Sequence, residues 1–316
     1  MGVSRVNRLY LYACHEEEAE LFAMEARQLF GGTRVPVREG SGYLVSQQLV
    51  DPERSPYLKG RLDIAEEADS LERLLDSLSE RAPIEEPYKA VFIRTDDDLD
   101  YDTRLKTERL IGAQLRGNAD LRKPVRLIGA ARVSGRWLLG EYTASRTDWM
   151  KHNSKPQSYS TALPVRAARA LVNIAVPRPE GLRVVDPCCG IGTVLLEAMA
   201  IGVDIEGYDL NPLAVRGARA NLAYFGYPDR VKAADMRGIQ NRYDAAILDL
   251  PYNKCSVLPD DTLAEMLSAL RRITEGTAVI VSIDDISEAV ALAGFIVEDS
   301  CKLRKGRFAR RIYRCR

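Results

Sequence analysis

The sequence predicts an α/β protein, with an open and mostly parallel sheet in its second half and an α+β region in front. Two observations carry this. From Leu182 onward, short apolar runs alternate with helical patterns, and strands apolar on both faces imply a parallel sheet covered by helices on both sides. Before that point strands and helices mix without such regularity, and 316 residues leave room for about two domains.

In chain order, RLYLYAC (8–14) is a strand signal, and EEEAELFAMEARQLFGG reads as a helix ended by glycine. SGYLVSQQLV is a strand, LERLLDSLSE a helix and YKAVFIRT (88–95) a strand. The helix RLKTERLIGAQLRG (104–117) follows, then the strands PVRLIGAARV and GRWLLGEYTA. The stretch 145–164 is polar and aromatic without a clear period and reads as a linker, after which Pro164 starts the helix VRAARALVNIA. LRVVD (182–186) is a buried strand, TVLLEAMAIG a helix stopped by glycine, DIEGYD a strand and PLAVRGARANLAYFG a helix. RVKAAD and YDAAILDLP are strands, DTLAEMLSALRRIT is an amphipathic helix and TAVIVSI a strand; GFIVEDSCKL and RFARRIYRCR close the sheet as a hairpin. The expected division is 1–145 in front, a linker at 146–165, and an α/β domain over 166–316.

Composition excludes several classes. No run of about 18 apolar residues occurs, so no membrane span is expected, and the N-terminus lacks a signal-peptide pattern, which leaves the cytoplasm as the default. The six cysteines include no CxxC pair and the two histidines lie apart from them, so no metal site is expected. Adjacent Cys188 and Cys189 read as small turn residues. Net charge is zero, yet basic residues segregate: the last sixteen residues hold eight Lys or Arg and no acid. Arg122, Lys123, Arg126, Arg132 and Arg136 form a second acid-free stretch. Basic stripes on a neutral chain suit a protein that turns one face to nucleic acid, although solvated faces also look like this.

The sequence DPCCGIGT (186–193) follows a buried strand and opens a helix. Gly190 and Gly192 permit a tight turn and close backbone approach by a ligand, whose carboxylate or phosphate would sit near the helix N-terminus. The pattern is not the G-x-G-x-x-G of dinucleotide sites. Asp186 at the strand end, beside Cys188, can instead hold an ammonium group, a combination that fits the methionine end of S-adenosylmethionine. Asp209 ends the next strand, where an acid accepts hydrogen bonds from ribose hydroxyls. Asp235 ends the third; its carboxylate would take the adenine amino group while Met236 packs on the ring. Farther on, DLPYN (249–253) leaves a strand at the carboxyl edge. Asp249 and the carbonyl of Leu250, with Pro251 fixing the backbone, would hold both protons of a planar amine, and Tyr252 would stack on the base.

Together, DPCCGIGT and DLPYN resemble the amino-group methyltransferases of the class I S-adenosylmethionine fold, whose corresponding motif is D/N/S-P-P-Y/F. Leu250 replaces the first proline, and the carbonyl that matters is retained. KPQSYSTALPVRAARALVNIA is similar to R-P-F-x-H-P-x-S-L-x-P-x-L-A-R-A-L-V-N-L of the THUMP-containing tRNA guanine-N2 methyltransferases, the position-10 type; Gln157, Tyr159 and Ser160 depart from it and the RALVN core (169–173) is kept. The resemblance implies a class I (Rossmann-like) domain at the carboxyl end, and in front a ferredoxin-like unit and a THUMP domain that grips tRNA. It makes Arg122, Lys123, Arg126, Arg132 and Arg136 candidate phosphate contacts, by position and charge. A monomer is expected. The competing readings are an amino-group methyltransferase for ribosomal RNA, DNA adenine or protein glutamine, and a non-catalytic RNA-binding protein that retains the fold.

Overall fold

The computed structural model describes residues 6–32, 38–79, 81–97, 99–159, 162–251, 259–306 and 308–316. The first half contains β1 (Arg8–Cys14), α1 (Ala19–Leu29), β2 (Gly40–Ser46), β3 (Leu58–Ala68), α2 (Leu71–Ser79), β4 (Ile84–Ile93), α3 (Tyr101–Gln114), β5 (Gly117–Ala119), β6 (Arg126–Val133) and β7 (Arg136–Ala144). The second contains α4 (Val165–Ala175), β8 (Arg183–Asp186), α5 (Thr193–Ala200), β9 (Asp204–Asp209), α6 (Pro212–Tyr224), β10 (Val231–Ala233), β11 (Tyr243–Asp249), α7 (Asp260–Ile273), β12 (Thr274–Ser282), α8 (Ser287–Leu292), β13 (Val297–Lys305) and β14 (Phe308–Cys315). They form two compact units, whose described parts are 6–14, 38–52 and 57–146 for one, and 15–32, 53–56 and 147–316 for the other.

The first unit is a seven-stranded sheet in the order β2-β1-β3-β7-β6-β4-β5. β4 runs parallel to β5 and β6, with α3 as the crossover between them, and the other pairs are antiparallel. Asp100 caps α3 by accepting from the Thr103 N–H at 2.9 Å. Leu74 and Leu78 of α2 and Ile111 of α3 pack on Tyr88, Ile128 and Leu139 on one face. A smaller cluster of Leu9, Leu62, Ile93 and Leu138 forms on the other. The expectation lacked β3, an eleven-residue strand in this sheet. Its first half alternates Leu58, Gly60 and Leu62 inward, but its second half is polar and partly exposed, which broke the period-2 signal.

The second unit is also seven-stranded, in the order β10-β9-β8-β11-β12-β14-β13. Its first five strands are parallel, and β14 runs antiparallel to both neighbours. The chain builds outward from β8 to β9 and β10, then returns to add β11 on the opposite side of β8, so β8 and β11 flank the point where the strand order reverses. Every residue of α4 except Arg166 is buried.

Two segments differ from the expectation. Helix α1, assigned to the front region, belongs to the second unit. Its buried Glu25 accepts from Asn173 Nδ2 and from Ser55 Oγ, each at 2.6 Å. The stretch read as a linker is also held: a 3-10 helix at Asp148–Ser154 buries Trp149 and His152. His152 Nδ1 lies 2.5 Å from Glu197 Oε1, and Arg169 Nε donates to Glu197 Oε2 at 2.7 Å. A local sequence window contains none of these partners.

Burial raises the Glu25 carboxyl from the ordinary 4.5 to about 7, against the pull of Ser55, Asn173, Arg169 and Arg54. Because the folded value is the higher one, the stability Glu25 contributes is complete below pH 4.5 and is lost as pH rises through 7. Glu25→Gln should therefore flatten the fall in stability between those values, a linkage of at most ~3 kcal/mol. Urea unfolding of both proteins from pH 4.5 to 8 measures it, and parallel curves would remove Glu25 from the account.

Candidate active site

The carboxyl ends of β8, β9 and β11 bring three aspartates together. Asp186 ends β8 and is 2% exposed, accepting from the Cys188 N–H at 3.3 Å. The chain then turns through Gly190 and Gly192, with φ of 53° and 76°, and enters α5. A Cβ at 192 would lie 3.2 Å from Ala218 Cβ, and one at 190 would lie 2.6 Å from the Tyr159 hydroxyl. The left-handed backbone favours glycine at both positions, and at 192 the close approach of Ala218 adds to it. Asn221 ties the turn to the preceding segment: its amide donates to the carbonyls of Ile191 and Gln157 and its oxygen accepts from the Gln157 N–H.

Asp209 shapes this turn as well as facing it. One carboxylate oxygen accepts from the Gly190 N–H and the other from the Asn211 N–H, both at 2.8 Å. Asp235 caps a short turn by accepting from the Arg237 N–H, and the Arg237 guanidinium grips both of its oxygens. That pairing holds the Asp235 carboxyl below the usual range, so a ligand amine would share an acceptor already in use. Met236 is 3% exposed, and its sulfur lies 3.7 Å from Cys188 Sγ inside the apolar core. Burial, followed by the nearby carboxylates, pushes the Cys188 and Cys189 thiols well up, so both are protonated and inert at neutral pH.

Asp249 ends β11 beside this turn. Its Oδ1 is shut off from solvent with no hydrogen-bond partner among the described residues, and burial pushes its carboxyl up to about 7 while Arg310 pulls it down. Asp186 is raised well above the ordinary value, by burial first and then by the charges of Asp249 and Asp209. The Leu250 side chain is buried and its N–H donates to the Val281 carbonyl at 3.0 Å, so the residue before exposed Pro251 is fixed. Tyr252 lies outside the described residues. Arg310 and Thr193 were not singled out from the sequence. Thr193 is buried at the start of α5, its hydroxyl without a hydrogen-bond partner among the described residues, and Arg310 was hidden within a run read only as basic.

These features fit S-adenosylmethionine. A buried Asp186 carboxyl, raised further by the charges of Asp249 and Asp209, invites a cation, and the methionine end and sulfonium supply positive charge. The free hydroxyl of Thr193 at a helix N-terminus suits the carboxylate of the same ligand. Next to the site, a cavity of about 590 Å³ is lined by Leu250, Pro251, Leu263, Ala264, Ile283 and Ile286. Asp260, Asp261, Asp284, Asp285 and Glu288 also line it, which makes it a poor path for phosphates. Among the described residues no helix is long and apolar enough to cross a membrane, and no group of three His, Cys, Asp or Glu is arranged for a metal.

The expected basic face is mostly neutralised. Arg126 pairs with Glu141 at 2.8 Å and with Glu86 at 3.6 Å, Arg132 with Asp97 at 3.6 Å and Arg136 with Glu67 at 3.5 Å. Exposed Arg122 and Lys123 sit in a turn where their N–H groups donate to Asp120. At the carboxyl end Arg304 faces Glu20, Arg311 faces Asp285, and Arg314 and Arg316 face Glu298.

The profile of the UPF0020 (RMKL-like) methyltransferase domain matches residues 153–284, spanning the glycine turn and Asp249. The chain is 28% identical over 263 residues to the tRNA (guanine(10)-N2)-dimethyltransferase of Methanothermobacter thermautotrophicus, covering 75% of this chain and 76% of that protein. It is 30% identical over 188 residues to the enzyme of the same name from Pyrococcus abyssi, covering 55% of this chain and 56% of the other. A solved structure of a candidate methyltransferase complexed with SAH superposes with a TM-score of 0.50 at 15% identity, over 99% of this chain and 98% of that one. That likeness shows the class I methyltransferase fold.

Asp209→Ala should weaken S-adenosylmethionine binding tenfold or more, since buried hydroxyls left without an acceptor cost about 1–3 kcal/mol each and the Gly190 turn loses its anchor. Calorimetric titration is the measurement, and unchanged affinity would take Asp209 out of the site.

Proposed function

We propose that this chain, a member of the THUMP-type guanine-N2 RNA methyltransferases, transfers a methyl group from S-adenosylmethionine to the exocyclic N2 amine of a guanosine in tRNA. The observation that carries the reading is Asp249: a carboxylate at the carboxyl end of β11, beside the glycine turn at the reversal of strand order, with a buried oxygen that has no hydrogen-bond partner among the described residues. S-adenosylmethionine supplies a methyl on a cationic sulfur, and its transfer leaves a thioether and one proton to be shed by the acceptor nitrogen. Asp186 and Thr193 would hold the methionine end, Asp209 the ribose, and Asp235 with Met236 the adenine side. The Asp249 carboxylate and the Leu250 carbonyl accept the two N–H bonds of the target amine, which aims its lone pair at the methyl. As the N–C bond forms and the C–S pair returns to sulfur, Asp249 takes up the proton. On sequence grounds Tyr252 offers the stacking face for the base.

RNA capture is assigned to the first unit, with Arg122 and Lys123 among its exposed cations. Arg126, Arg132 and Arg136 join by exchanging a carboxylate for a phosphate, since exposed ion pairs are worth only about 0–1 kcal/mol. Truncating residues 1–145 would not isolate this role, because it also removes α1, which belongs to the second unit.

Nucleoside mass spectrometry of tRNA incubated with the protein and labelled cofactor should find N2-methylguanosine. Label in another base, or in ribosomal or small nuclear RNA alone, would overturn the assignment. Asp249→Ala should slow single-turnover methylation roughly 10²-fold or more while leaving cofactor affinity near the parent value. A variant as fast as the parent would place the chemistry elsewhere. The double variant Arg122→Ala, Lys123→Ala should weaken tRNA binding and lower the slope of log affinity against log salt by roughly 1.5. An unchanged slope would move the RNA surface elsewhere.

A further inference from the structure

We infer that Arg310 is a positioning residue for Asp249: its guanidinium holds the Asp249 side chain in its charged, accepting form toward the target amine. This rests on the role given to Asp249 above. The strand register carries the argument. Asp249 pairs with Val281 of β12, and Val281 pairs with Ile312 of β14. Paired residues share a sheet face, and residues two apart on a strand share it too, so Arg310 stands on the same face as Asp249. The opposite face carries Leu248, Ile280 and Tyr313, which pack into the apolar core with α7 and α8. β14 runs antiparallel to β12, with Arg311 opposite Ser282 at the end of that strand. Arg310 therefore lies one step farther toward the carboxyl edge, where Asp249 ends β11.

Burial makes this placement consequential. Arg310 is 4% exposed, and its guanidinium lies 4.9 Å from the centre of the Phe308 ring. A buried guanidinium stays charged, and inside protein it acts on a carboxylate more strongly than through water. Among the described residues, the groups electrostatically coupled to Asp249 are Asp186, Cys188 and Arg310. Asp186 is an acid and Cys188 a protonated thiol, so Arg310 is the cation of the set. The arginines of α4, which also packs against β11 and β12, are engaged elsewhere: Arg166 with Glu18 and Arg169 with Glu197. Burial drives the Asp249 carboxyl up to about 7 and Arg310 acts against it. Since the amine must donate two N–H bonds, only the ionised carboxylate accepts without offering a competing proton.

The test reads Asp249 directly. In protein carrying carboxyl-carbon label in aspartate, the Asp249 signal, identified by its loss in Asp249→Asn, is followed by NMR against pH without cofactor. In Arg310→Met the midpoint should rise by about one unit or more, while Arg310→Lys, which keeps a charge, should stay near the parent. The acid limb of the single-turnover rate should move with it, lowering the rate at pH 7 about fivefold for a one-unit rise. An unmoved midpoint in Arg310→Met overturns the proposal, as does a shift as large in Arg310→Lys. So does a change confined to KM for RNA with the pH profile intact, which would make Arg310 an RNA contact. Should Arg310→Met fail to fold by circular dichroism, Arg310→Gln takes its place with the same expectation. The NMR midpoint does not depend on which base is methylated, so this inference and the proposed reaction fail separately.

Discussion

The structure around the site depends on the cost of keeping carboxylates out of water at one edge of a sheet. Asp186 and Asp249 stand at the ends of β8 and β11, the two strands flanking the reversal of order, and Asp209 ends the next strand out. Burial raises the carboxyls of Asp186 and Asp249, and for Asp186 the charges of Asp249 and Asp209 add to it. Such a cluster is tolerated only if protons neutralise it or a cation enters. A ligand with an ammonium and a sulfonium relieves the strain that a neutral nucleotide would leave in place. Part of that cost is shared with the fold, since the Gly190 backbone N–H donates to Asp209.

What was legible in the sequence follows from whether its signal was local. Strands β8, β11 and β12 announced themselves by apolar runs, and the more polar β9 and β10 by their alternation with helices of their own period. Asp186, Gly190, Gly192, Asp209 and Asp249 were legible because strand ends in such a sheet have a fixed place in space. The segments misread are those whose partners lie far along the chain. Glu25 of α1 looks like one more charge on an acidic helix until Asn173 meets it 148 residues later. His152 looks like a loop residue until Glu197 is placed against it. The basic stripe from Arg122 to Arg136 was read as bare because the acids that neutralise it, Glu67, Glu86, Asp97 and Glu141, come from other strands and loops. Arg310 was missed for the opposite reason: in a run already rich in arginine, an inward-facing one does not stand out.

The kept RALVN core bears on what the family resemblance means. Arg169 donates to Glu197 and to the Glu53 carbonyl, and Asn173 donates to Glu25 and to the Arg54 carbonyl. Neither residue was found among the groups facing the target amine. Glu197, set between Arg169 and His152 with no exposure of its own, would lose its guanidinium partner without Arg169, and breaking a buried pair costs about 3–5 kcal/mol. These residues therefore bind α1 and the 147–159 segment to the core of the second unit, and that segment in turn carries Gln157 and Tyr159 against the glycine turn. The motif carrying the closest sequence likeness is thus one that holds the scaffold together. The proposed chemistry stands instead on Asp249, Leu250 and Pro251, where a leucine takes the place of the first proline of the resembled motif and the backbone carbonyl is retained.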